Sequence, residues 1–110
     1  MLKLFRSALL AAPLLAASPA LALDAAAVDR LARLIGAADA CGGNSHQIRA
    51  AVTTVEAGIN RDAATEAERR AFLERFRFYA DVAREEYKLA DGGPVPCPQV
   101  LEEFRRAFSR

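Results

Sequence analysis

The period of the apolar residues constrains this chain more than any other feature. From Asp24 onward they recur at steps of three and four in four blocks, which is the period of helices. The first block runs from about Asp24 to Cys41. Asp24 is a good N-cap, Val28, Leu31, Leu34, Ile35 and Ala38 form a stripe, and Gly42-Gly43 stops the helix. The second runs from about Ser45 to Ile59 on Ile48, Val52, Val55 and Ile59, capped by Asn44 or Ser45. Gly58 and Asn60-Arg61-Asp62 mark its end.

The third block is the longest, from about Thr65 to Ala90. Thr65 and Glu68 fit a capping box. Phe72, Phe76, Tyr79, Ala83, Tyr87 and Ala90 make one stripe, and Phe78, Val82 and Leu89 make a second. A helix apolar on so much of its circumference is expected at the centre of the fold. Its charges fall at helical spacing: Glu66 with Arg70, Glu74 with Arg77, Asp81 with Arg84, Glu85 with Lys88. The breaker Asp91-Gly92-Gly93-Pro94-Val95-Pro96 follows. A fourth block opens on Cys97-Pro98, with Val100, Leu101, Phe104 and Phe108 as its apolar face. The expected fold is all-α, a small up-down-up-down four-helix bundle.

Before Asp24 the chain has a different character. Met1 to Arg6 carries two positive charges and no acid, Ser7 to Ala17 is apolar, and Ala20-Leu21-Ala22 offers small residues at a cleavage site. These features describe a secretory signal over residues 1–22, leaving residues 23–110 as a single helical domain. The apolar run falls well short of the roughly 20 residues that span a bilayer, so no membrane span is expected after cleavage. The expected location is periplasmic or secreted. Of 15 basic residues, Lys3 and Arg6 leave with the signal, so 13 face 14 acidic residues. A balance this even carries no nucleic-acid footprint.

An exported chain with two cysteines is expected to pair them. Cys41 ends the first helix and Cys97 begins the fourth. In an up-down-up-down bundle both positions lie at the same end, so one Cys41–Cys97 disulfide would tie the first helix to the last.

The residue inventory offers little chemistry. His46 is the one histidine, and the domain after cleavage has no methionine. Covalent haem, His/Met haem and His/Met copper sites all lack ligands. A zinc site on Cys41, Cys97 and His46 competes with the disulfide. Ser45 and His46 are adjacent on a helix and point about 100° apart, poorly placed for a nucleophile and its base. Glu85-Glu86 and Glu102-Glu103 read as solvated helix faces. No catalytic residue, metal site or cofactor is assigned.

The third helix concentrates the aromatics. Core packing accounts for most of them by period. The functional reading is that Phe72, Phe76, Phe78, Tyr79, Val82 and Tyr87 contribute a surface for a protein partner or an apolar ligand. Cys41-Gly42, Ile48-Arg49, Glu56, Phe76-Arg77-Phe78-Tyr79 and Cys97 together resemble small uncharacterised exported proteins of Gram-negative bacteria. In those proteins a tryptophan stands at the place of Ile48. That family has no assigned activity, so the resemblance implies no catalytic residue. In architecture the chain is also similar to acid-stress periplasmic chaperones. The expected function is a non-catalytic periplasmic binding or interaction protein. The alternatives are a stress-related holdase and a structural subunit of an envelope complex.

Overall fold

A computed structural model describes residues 24–89 and 93–109. The expected signal, residues 1–22, lies outside the described residues, as does Ala90 at the end of the third block. Four helices follow in order: α1 (Ala25–Ala40), α2 (Ser45–Asp62), α3 (Glu66–Leu89) and α4 (Cys97–Phe108). Among the described residues there is no strand. The all-α four-helix architecture expected from the apolar period is the one observed.

Local chemistry sets the helix ends. The Ala26 N–H donates to Asp24 Oδ1 at 3.3 Å. Asn44, not Ser45, caps α2, accepting from the Gln47 N–H at 3.0 Å. Thr65 Oγ1 accepts from the Glu68 N–H at 3.0 Å, and the Glu68 carboxylate returns to the Ala64 N–H at 2.6 Å. This is the capping box with its return arm one residue further back. α1 closes in a Schellman motif. Gly42 adopts a φ of 89°, its N–H reaches the Asp39 carbonyl at 3.1 Å, and the Gly43 N–H reaches the Ala38 carbonyl at 2.8 Å.

α2 is longer than the sequence suggests. Gly58 does not break it, and Asn60, Arg61 and Asp62 are helical. The Thr54 hydroxyl donates to the Ala50 carbonyl at 2.9 Å, so its polar group is satisfied inside the helix by sharing a ladder acceptor. The chain turns out of helix only at Ala63, whose extended backbone still donates its N–H to the Ile59 carbonyl.

Contacts between helices fix their directions. Asp29 of α1 meets Arg75 of α3, and further along Asp39 meets Arg84, so α1 and α3 run parallel. Val28, near the start of α1, shares a pocket with Ile59 and Phe108, near the ends of α2 and α4. Both of those helices therefore run opposite to α1. Cys41 and Cys97 form a disulfide across the shared end, with Cα atoms 5.5 Å apart.

The centre of the bundle is α1, which corrects the expectation that the third helix holds that place. α1 packs against all three other helices, most extensively against α3. The reason is side-chain size. Ala32, Gly36, Ala37 and Ala38 are buried on α1 and let neighbours approach on several sides. Val28 and Ile35 add bulk to the same core, which collects Ile48, Val55 and Ile59 from α2, Leu73 and Phe76 from α3, and Val100 and Phe104 from α4. α3 buries one face only. Phe78 and Val82 of its second stripe look outward.

Candidate interaction surface

Four α3 residues form its inner seam: Phe76, 2% exposed, with Leu73, Ala80 and Ala83. Phe76 was expected to contribute to a partner surface. It belongs to the core instead, because it lies on the side of α3 that meets α1. Phe72, Tyr79 and Tyr87 are half-buried and packed against the core. Phe78 and Val82 are the exposed members, at 59% and 38%. The structure therefore brings Phe78 and Val82 together on open surface and turns the other four candidates inward to different degrees.

An arginine-rich seam fixes the orientation of this surface. Arg75 donates Nε and Nη2 to the two Asp29 oxygens at 2.7 and 2.9 Å. The guanidinium of Arg33 lies 4.7 Å from the Tyr79 ring centroid and that of Arg75 lies 5.5 Å from it. Phe78 meets the Tyr79 ring edge-on at 5.1 Å. Arg84 bridges Asp39 of α1, at 2.9 Å, and Asp81 of its own helix. Arg77 does not pair with Glu74 as spacing suggested. It reaches Glu56 of α2 at 3.5 Å. Spacing along one helix finds neighbours on that helix only, so these cross-helix ties are not legible in the sequence. The Asp81–Arg84 and Glu85–Lys88 pairs form as expected, and Glu66 takes Arg69 more closely than Arg70.

The hydrogen bonds from Arg75 hold the Asp29 carboxyl below its ordinary value, more strongly than burial raises it. A depressed carboxyl pKa stabilises the fold above the unfolded-state value of about 4. That stability disappears as pH falls through the folded-state value. Asp29→Asn is therefore expected to lower the melting temperature by a few degrees at pH 7, the range for a partly exposed pair. At acid pH, below the folded value, the difference should vanish. Thermal melts of both proteins across that range check the sign.

The other candidates for chemistry lie apart. His46 and Ser45 are exposed on the first turn of α2. Glu102 accepts from Arg105 and Arg106, which hold its carboxyl down at about 2, so it is an anion at neutral pH. Among the described residues no three of His, Cys, Asp and Glu gather as a metal site, and no helix is long and apolar enough to cross a membrane.

Two grooves were not legible in the sequence. One, of about 480 Å³, runs beside Val28, Leu31, Val55, Ile59 and Phe108. The other, of about 500 Å³, lies over α1 between α3 and α4, beside Leu34, Ala83, Tyr87, Val95 and Val100. Leu31 lines both and Leu34 the second, and these large members of the α1 stripe are the signal that could have indicated them.

Comparison with family models, with curated proteins and with solved structures finds no match for this chain.

Proposed function

We propose that the chain is a non-catalytic interaction protein of the periplasm, exported by its first 22 residues, with the outer face of α3 as its contact surface. The observation that carries this reading is the exposure of Phe78 and Val82 on one side of a helix whose other side is firmly seated. A large aromatic left in water beside a second apolar residue favours a partner that covers both. Fixed Arg75 and Arg84 hold the helix rigid, which lowers the entropic cost of recognition.

The test is capture from the native envelope fraction by the protein without residues 1–22, set beside a Phe78→Ser/Val82→Ser variant. Both positions are exposed, so the variant should keep its helical spectrum and melt within a few degrees of the parent. Loss of the captured protein in the variant is the expected result. Equal capture by both would remove this face from the function.

The same face supports a second reading, a stress-related holdase. Acid that protonates Asp29 would loosen α3 from α1 and enlarge the apolar surface. Apolar-dye binding and suppression of client aggregation should then both rise as pH falls. Absence of either at every pH rejects it.

A further inference from the structure

The outer face of α3 carries a pattern more specific than an apolar patch. Ala71, Arg75, Phe78, Val82 and Glu85 follow one another at steps of four, three, four and three, and all are exposed. That is the spacing of a coiled-coil seam, on the side of α3 opposite Leu73, Ala80 and Tyr87. We propose that this seam pairs with the α3 seam of a second copy of this chain, antiparallel, about a twofold axis at the height of residue 80. The proposal rests on the interaction reading above and names its partner.

Charge selects both the partner and the direction. With the axis at residue 80, Phe78 lies against Val82 of the second copy and Arg75 lies against its Glu85. The twofold axis repeats each contact. Glu74 and Lys88, on the flank of the seam, come opposite each other in the same register. A parallel pairing would instead set Arg75 against Arg75 and Glu85 against Glu85, which is unfavourable. Arg75 can serve both partners. Its Nε and Nη2 are used on Asp29, and among the described residues its Nη1 has no acceptor. Asp81 meets its own copy near the axis, where Arg84 of the same chain already neutralises it. Only two large apolar residues per chain enter the seam, so the association is weak and reversible rather than obligate.

Sedimentation equilibrium of the protein without residues 1–22, from micromolar to millimolar concentration, tests this. A monomer–dimer equilibrium is expected. Phe78→Glu should weaken it at least about tenfold without changing the helical spectrum. Glu74→Lys and Lys88→Glu should each weaken it alone. An equimolar mixture of those two variants should recover it, because the mixed pair restores opposite charges at both contacts. A chain monomeric at every concentration overturns the proposal, as does a dimer indifferent to Phe78→Glu or a mixture that fails to recover. If the chain is monomeric yet captures an envelope protein through Phe78, self-pairing falls and the interaction reading stands.

Discussion

Reduction of the Cys41–Cys97 bridge is expected to lower the melting temperature by roughly 20 °C. The bridge closes a span of 56 positions. Loop-closure entropy for that length corresponds to about 4 kcal/mol. In a domain below 100 residues each kcal/mol moves the midpoint by about 4–8 °C. Its location makes the effect local as well as global. α4 has 12 residues, a length at which an isolated helix is marginal in water. It has no side-chain cap at its start, and Val100 and Phe104 are its buried anchors. The first residue of that helix is the bridged cysteine. Without the bridge α4 should open first, and its amides should exchange with solvent sooner than those of α1. Melting with and without reductant, and the Cys41→Ser/Cys97→Ser variant, give the measurement. A midpoint that moves by only a degree or two would show that packing alone holds α4.

Much of this fold is legible in the sequence because helices announce themselves locally. Asp24, the Thr65–Glu68 box and Gly42-Gly43 each act within a few residues of themselves, and each end forms where the residue types place it. The disulfide follows from two local facts, the ends of two helices, joined by a topological one. What escapes the sequence is relational. The large apolar and aromatic side chains spread around α3 point to it as the centre, but the centre is decided by closeness of approach, and the small residues of α1 decide that. The same limit applies to the surface. Phe76 and Phe78 are two positions apart and of one type, yet one is buried and the other open. Only the position of α1 separates them. Arg77 turns to Glu56 rather than Glu74 because α2 lies within its reach.

Gly36→Ala is expected to destabilise the protein by at least about 2 kcal/mol, although the same exchange in an open helix would stabilise it. Two effects of opposite sign compete. Alanine in mid-helix is favoured over glycine by about 1 kcal/mol, because glycine loses more backbone freedom on folding. Against this stands the contact with α3. A Cβ on Gly36 would overlap the Ala80 carbonyl oxygen and come within 2.9 Å of its carbon. The atoms in the way are backbone, so no rotamer change relieves the overlap, and α1 and α3 must separate. Separation would withdraw Phe76 and Leu73 from the core and lengthen the Asp29–Arg75 and Asp39–Arg84 ties. Overpacking at a tight crossing costs about 1–3 kcal/mol or more, and the lost contacts add to it. The steric effect should therefore win. Denaturant midpoints of Gly36→Ala and Gly36→Leu, beside Gly58→Ala as a control, decide the matter. At Gly58 the nearest atom a Cβ would meet is the end of the Arg61 side chain at 3.6 Å, so the control should be neutral or stabilising. A stabilised Gly36→Ala would mean that α1 and α3 do not cross at this distance, and α1 would lose its place as the helix around which the others assemble.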